Sequence, residues 1–284
     1  MEEKLLYLSQ PTYTFIELAE RKIGYKKIKA MSEVTYIYVH FDEIFYERFP
    51  NLRAIICPCT GIKHLDLEQI EKRNIKIFYL DDKQFLFRDI WGTSYWTLYH
   101  ILSLLRYNKD DLSTKTVGIV GMGRVGQQLY QLLLPHRCKF LFNDIREMPL
   151  MFPNTNLREL CKHADIITLH VDENDTTKNL INDETFHQME QKSYIINSSR
   201  SSILDGQALL NAWNAGVLSG VALDVIEDYS EEIKSELYML NAHPEANFIV
   251  DTHKAGKTFK SAREATDKWV LERFLEWREK DGLI

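Results

Sequence analysis

Gly121, Gly123 and Gly126 stand at G-x-G-x-x-G spacing in the segment Thr116-Val-Gly-Ile-Val-Gly-Met-Gly-Arg-Val-Gly126. The apolar run before them reads as a buried strand, and Arg124–Leu134 after them as a helix. Gly121 permits the tight turn off the strand. Gly123, lacking a side chain, lets a pyrophosphate approach the backbone, and Gly126 lets the helix pack close to the sheet. The helix N-terminus then offers free N–H groups and partial positive charge to phosphates. A second run, Lys139–Asn143, ends at Asp144. A carboxylate there accepts hydrogen bonds from the adenosine ribose and repels a 2′-phosphate, which favours NAD over NADP.

Three further segments carry polar groups where strands should end. Arg200 closes Asn197-Ser-Ser-Arg, just after Tyr194-Ile-Ile. An arginine there can grip a carboxylate with two parallel hydrogen bonds. Asp224 lies in Ala222-Leu-Asp-Val225, and His253 in Asp251-Thr-His-Lys-Ala-Gly-Lys-Thr258. An imidazole at a strand end can exchange a proton with a bound hydroxyl or ketone. Taken singly, these are equally a surface cation, a strand-end acid and a loop histidine. Their joint placement favours a site, because ligands of a doubly wound sheet bind outside the carboxyl ends of its strands.

The elements that must hold these groups form two series. In the first, strands at Leu5–Leu8, Thr35–His40, Arg53–Cys57 and Ile75–Phe78 alternate with helices at Phe15–Lys22, Asp42–Arg48 and Asp66–Arg73. The second has strands at Val117–Val120, Lys139–Asn143, Asp165–Val171, Tyr194–Asn197, Gly220–Val225 and Phe248–Asp251. Alternation of this kind implies α/β architecture: two doubly wound parallel-sheet domains with helices on both faces. Between them, Ile90–Tyr107 carries Trp91, Tyr95, Trp96, Tyr99, Leu102 and Leu105 at helical spacing. This stripe reads as a buried helix between the domains, or as a dimer contact. Ser261–Lys280 reads as one amphipathic helix with Trp269, Phe274 and Trp277 near one face.

The bulk composition fits that picture. A chain of 284 residues, 45% hydrophobic, has room for two cores. Its net charge of −6 speaks against nucleic acid or an anionic membrane as partner. No apolar run is long enough to span a bilayer. The N-terminal Met-Glu-Glu-Lys does not resemble a secretory signal, which points to the cytoplasm. The four cysteines, Cys57, Cys59, Cys138 and Cys161, lack zinc spacing and read as buried free thiols, with no metal expected.

With these segments in order, the chain resembles the NAD-dependent D-isomer-specific 2-hydroxyacid dehydrogenase family. The likeness runs from about Arg53 to Thr258. It is carried by Cys59-Thr-Gly-Ile-Lys-His-Leu-Asp66, the glycine loop, His163–Val171 with Thr177, Ile195–Arg200 with Leu204–Leu209, Gly220–Val225, and Thr252-His253 with Ala255-Gly256. The resemblance implies a Rossmann cofactor domain, residues 88–255, inserted into a flavodoxin-like substrate domain, residues 1–87 plus 256–284. A cleft would lie between them, in a homodimer built around the cofactor domain. It implies hydride transfer between NAD(H) and a small D-2-hydroxy acid or 2-keto acid. Arg200 would hold the substrate carboxylate and His253 would be the acid/base. Thr60 and Gly61 would offer backbone N–H groups to the carboxylate, and Ile62 would also meet the substrate. Arg124 and Val125 would cap the pyrophosphate. His170, Thr177, Ser198 and Asp224 would line the nicotinamide side, and Val171, Ser199, Arg200, His253 and Ala255 would also meet the cofactor.

One departure bears on the chemistry. The family places a glutamate five positions after the aspartate of its Leu-Asp-Val segment, hydrogen-bonded to the histidine; that position here is Tyr229. A carboxylate beside an imidazole favours the imidazolium, and ketone reduction calls for a protonated acid. Three outcomes stay open: a loop shifted by one residue that lets Asp228 serve, a hydrogen bond from Tyr229, or a degraded site. The last would suit an NAD-responsive binding protein rather than an enzyme. Milder departures are Ser201-Ser202 in place of two glycines, Asp172 and Asp251 where proline is common, and Trp96 where a glutamate often lies.

Overall fold

A computed structural model describes residues 4–11, 15–17, 19–20, 30–40, 44–62, 64–253, 255 and 259–280, with the backbone alone at 83, 84 and 87. The chain divides into two compact units, Met1–Ile90 with Phe259–Ile284, and Trp91–Thr258. Each is an α/β unit built on a parallel sheet.

The first unit holds β1 (Leu5–Tyr7), β2 (Tyr36–Tyr38), β3 (Ala54–Cys57) and β4 (Lys76–Tyr79), hydrogen-bonded in chain order and all parallel. Successive strand residues point to opposite faces, and both faces are covered. Tyr36, Tyr38, Ala54, Ile56 and Phe78 pack against Val270, Leu271 and Phe274 of the long C-terminal helix. Ile37, Ile55 and Cys57 pack on the other face, with Phe49, Leu65 and Ile70. Helix α1 (Leu67–Lys72) begins where the Asp66 carboxylate accepts the Gln69 N–H, a capped N-terminus. The helix expected over Asp42–Arg48 is instead one 3₁₀ turn, Tyr46–Arg48, among the described residues. Part of the helix expected over Phe15–Lys22 lies outside them, as do Lys63 and Gly256.

After α2 (Lys83–Asp89), the second unit opens with α3 (Gly92–Asn108). Its strands are β5 (Thr116–Val120), β6 (Lys139–Asn143), β7 (Ile166–Leu169), β8 (Ser193–Asn197), β9 (Leu218–Leu223) and β10 (Phe248–Val250). The sheet order is β6-β5-β7-β8-β9-β10, all parallel. The chain leaves β5 on one side for β6 and returns on the other for β7. The strand order therefore reverses beside β5, and a crevice opens at such a point beyond the strand ends. The crossovers include α4 (Arg124–Leu133), α5 (Leu157–His163), α6 (Asp183–Gln188), α7 (Gly206–Asn214) and α8 (Glu231–Ala242); α9 (Lys260–Lys280) belongs to the first unit. The aromatic stripe of α3 does not form one buried face. Trp96 and Leu105 are buried, while Tyr95, Tyr99 and Leu102 are exposed.

Candidate active site

The glycine turn sits at the reversal point. Gly121 has φ +93°, in the left-handed region, and a Cβ there would stand 2.6 Å from the His170 carbonyl oxygen and 2.9 Å from Val171 Cγ1. The turn off β5 is thus pressed against the end of β7. A Cβ on Gly126 would collide with the Gly121 carbonyl oxygen, so the third glycine closes the turn itself as well as bringing α4 near the sheet. At Gly123 a Cβ would meet nothing within 4 Å. Gly123 is also the N-cap of α4 and supplies no side-chain cap to the first-turn N–H groups.

His170 and Arg124 flank the turn. The Nδ1 of His170 lies 3.3 Å from Ser198 Oγ, and its Nε2 is buried without a hydrogen-bond partner among the described residues. Burial, helped by the Arg124 charge, pushes this imidazole down to about 3. Burial also lowers the Arg124 guanidinium, which reaches Gln128 Oε1 at 3.4 Å. Val125 is half-buried on the same first turn of α4. The Thr177 hydroxyl is turned into its own loop, donating to Asp172 O at 2.7 Å.

Asp144 lies at the tip of β6, as its position in the sequence implies. Its Oδ2 accepts the Met122 N–H at 2.8 Å, tying it to the glycine turn. The Arg146 side chain forks onto it, with Nε to Oδ1 at 3.0 Å and Nη2 to Oδ2 at 2.9 Å. That pairing, against the cost of burial, holds the Asp144 carboxyl below the usual carboxylate range.

Arg200 is aimed by a residue the sequence reading passed over. Asn197, fully buried at the end of β8, donates to Arg200 O at 2.9 Å and accepts from Ser199 N and Ser199 Oγ. One side chain thereby fixes the three-residue turn Ser198-Ser199-Arg200, leaving the half-buried guanidinium hydrogen-bonded to Ser199 O at 2.7 Å. The adjacent Ser198 Oγ also meets Thr97 Oγ1 of α3, 3.2 Å away.

His253 is held through the backbone. Its N–H donates to Asp224 O at 2.6 Å, and Ala255 N donates to both carboxylate oxygens of Asp224 at 3.1 and 3.0 Å. Asp224 is 1% exposed, and its own N–H donates to Asn197 O at 2.9 Å. His253 takes φ +52°, a conformation few non-glycine residues adopt. Its Nδ1 lies 2.9 Å from Glu227 Oε1. Burial opposes ionisation of Glu227, but the hydrogen bond and charge of His253 outweigh it and hold that carboxyl below the ordinary glutamate range.

This placement corrects the expectation for Asp228. Its carboxylate accepts the Ser201 hydroxyl at 2.5 Å, and its N–H donates back to Ser201 Oγ at 3.1 Å. The Tyr229 side chain is buried, with its hydroxyl donating to Leu204 O at 2.9 Å. Glu227, two residues before the family's position, is the carboxylate beside the imidazole.

A second cluster braces the same loop. Asp251 Oδ2 accepts Trp96 Nε1 at 2.9 Å and lies 3.3 Å from His100 Nε2. The two departures at Trp96 and Asp251 are thus partners. In the other unit, Thr60, Gly61 and Ile62 follow β3, and Leu80 N donates to Cys59 O at 3.0 Å at the start of that loop. Thr60 is exposed, and Gly61 and Ile62 are half-buried. Among the described residues, no group of three or more His, Cys, Asp or Glu could hold a metal ion, and no helix is long and apolar enough to cross a membrane.

Residues 92–255, more than half the chain, match the sequence profile of the D-isomer specific 2-hydroxyacid dehydrogenase, NAD binding domain. The chain belongs to this family. It is 30% identical over 206 residues to a glyoxylate reductase of Thermofilum pendens, an alignment covering 63% of this chain and 59% of that protein. It is 27% identical over 298 residues to a D-3-phosphoglycerate dehydrogenase of Haemophilus influenzae, covering 96% of this chain and 71% of that one. Its fold is that of a D-lactate dehydrogenase from Aquifex aeolicus, solved with NAD and lactic acid. The TM-score is 0.77 at 22% identity, over 98% of this chain and 97% of that one.

The residues present fit NAD. The open space over Gly123 and the uncapped start of α4 lie on the turn after β5, and the Asp144 carboxylate at the tip of β6 is hydrogen-bonded to that turn, as a pyrophosphate and a ribose require.

Proposed function

We propose that this protein is an oxidoreductase that transfers a hydride between NAD(H) and a small D-2-hydroxy acid or the matching 2-keto acid. The observation that carries the reading is the His253–Glu227 pair. It stands in the same unit as Arg200, on a loop anchored by Asp224 to the end of β9. NAD(H) supplies the hydride acceptor or donor at C2 of the substrate. The protein's groups do the rest. Arg200 would pair with the substrate carboxylate and draw on the neighbouring carbonyl oxygen. Glu227 would accept from Nδ1 of His253, and Nε2 would exchange the proton with the substrate oxygen. In reduction that proton goes to the carbonyl oxygen; in oxidation it comes off the hydroxyl. Asn197 would set the aim of Arg200, and Asp224 that of His253.

The same reading makes the six-stranded unit a Rossmann cofactor domain, with Gly121, Gly123, Arg124, Val125, Gly126 and Asp144 at the dinucleotide. His170, Val171, Thr177, Ser198, Ser199 and Ala255 would line the nicotinamide side. The four-stranded unit would be the flavodoxin-like substrate domain, meeting the carboxylate through the N–H groups of Thr60, Gly61 and Ile62. A homodimer belongs to this reading, supported by exposed Tyr95, Tyr99 and Leu102 on α3, and so does a cytoplasmic setting. The rival reading, a non-catalytic NAD-responsive binding protein, took its motive from the displaced glutamate, and Glu227 supplies that carboxylate.

The test is NADH oxidation with a panel of 2-keto acids, comparing wild type with His253→Ala. Loss of the acid/base is expected to lower kcat by about 10²–10⁴-fold. Equal rates in the two proteins would refute the reading.

A further inference from the structure

A carboxylate at the tip of the second strand normally selects NAD by accepting the ribose hydroxyls. In this chain that carboxylate is already engaged. Asp144 Oδ1 accepts from Arg146 N at 2.9 Å and Arg146 Nε at 3.0 Å, and Oδ2 accepts from Arg146 Nη2 at 2.9 Å and Met122 N at 2.8 Å. The Asp144 side chain is 7% exposed and that of Arg146 61% exposed. Anything reaching Asp144 from solvent therefore meets the guanidinium beside it.

The guanidinium is also held in place. Asn154 accepts Asp144 N at 3.0 Å and donates to Asp144 O at 2.8 Å, latching the turn that carries both residues. Arg146 N on Asp144 Oδ1 closes the turn from inside. Asp144 is the main partner of the Arg146 charge, with a lesser contribution from Asp172. A fork-shaped cation fixed at the ribose position is the group that receives a phosphate monoester.

We propose that Arg146 makes the ribose subsite accept a 2′-phosphate, so that NADP(H) is a second dinucleotide ligand of this protein. This rests on the dinucleotide site of the preceding section. The guanidinium offsets the Asp144 charge that would otherwise repel the phosphate, and it shares its N–H groups between carboxylate and phosphate. The 2′-hydroxyl of NADH would reach Asp144 by displacing one of the Arg146 N–H groups from it, and that displacement is not needed once Arg146 is removed, so NADH binding does not require Arg146.

The test is a fluorescence titration of the full chain with NADH and NADPH, without substrate, for wild type, Arg146→Ala and Arg146→Gln. The wild type is expected to bind NADPH within about tenfold of NADH. Both variants are expected to lose about tenfold or more in NADPH affinity, while NADH affinity moves by less than about threefold. Raised salt should weaken NADPH binding more than NADH binding. Wild-type affinity for NADPH more than about tenfold below that for NADH would overturn the proposal, as would equal changes for both ligands in the variants. Failure of the wild type to bind NADH would instead remove the dinucleotide site itself. Arg146 is on the surface, and circular dichroism confirms that each variant is folded.

Discussion

His253 Nδ1 and Glu227 Oε1 stand 2.9 Å apart although neither residue lies in a strand or helix. One side of the pair is set by the loop after β9, the other by the loop after β10. The neighbouring carboxylate, Asp228, points to Ser201.

The two acids should therefore separate in kinetics. Glu227→Gln is expected to lower kcat for keto-acid reduction by about 10-fold to 100-fold and to shift its pH profile, since it disturbs the acid without removing it. Asp228→Asn should change stability through Ser201 while leaving the profile in place. Steady-state rates across pH for both variants decide the matter. A profile moved by Asp228→Asn and not by Glu227→Gln would return the role to Asp228.

Glu227 also links stability to pH. Its folded-state value lies below the ordinary 4.5, so the unfolded chain binds the proton more readily. The pair's contribution is then fully present above the unfolded value and disappears as pH falls through the folded one. Melting curves of wild type and Glu227→Gln should differ near neutral pH and converge as pH falls through and below the folded-state value. A gap that widened in acid would contradict this sign.

His170, pushed down to about 3, is expected to remain neutral through the whole working range. Its ring carbon and nitrogen shifts should show no titration between about pH 8 and pH 5, where an ordinary histidine passes through its midpoint. A midpoint near 6.5 would mean that the imidazole is solvated rather than enclosed beside Arg124.

Gly126→Ala tests the closure of the glycine turn. The added methyl would meet the Gly121 carbonyl oxygen and stand 3.2 Å from Ile119 Cγ2. Overpacking of this kind costs about 1–3 kcal/mol, and NADH affinity should fall with it. Unchanged denaturant midpoint and unchanged affinity would show that the turn has slack.

Much of this arrangement is legible in the sequence. The G-x-G-x-x-G turn, Asp144, Arg200, Asp224 and His253 fall at strand ends because period-two apolar runs locate the strands and ligand groups follow them. The partner of His253 was not readable by counting. Residues 225–230 form a loop, and no periodicity fixes which of Glu227, Asp228 or Tyr229 faces a given direction. A signal did exist in Ser201. A buried hydroxyl standing where the family has glycine needs a partner, and Asp228 is the partner it takes. The pairing of Trp96 with Asp251 was hidden differently: each looked like an isolated departure until folding brought α3 to the end of β10. The split of the aromatic stripe of α3 into buried Trp96 and Leu105 and exposed Tyr95, Tyr99 and Leu102 is not legible in spacing, which cannot tell which residues of a helix meet protein and which meet solvent.

Asp224 gives one more lesson. It secures the histidine loop through that loop's main-chain amides, gripping the amide of residue 255 with its carboxylate and the amide of residue 253 with its carbonyl. Such a tether is indifferent to which side chains the loop displays. A change of side chain at position 252 then leaves the backbone that carries His253 where it is.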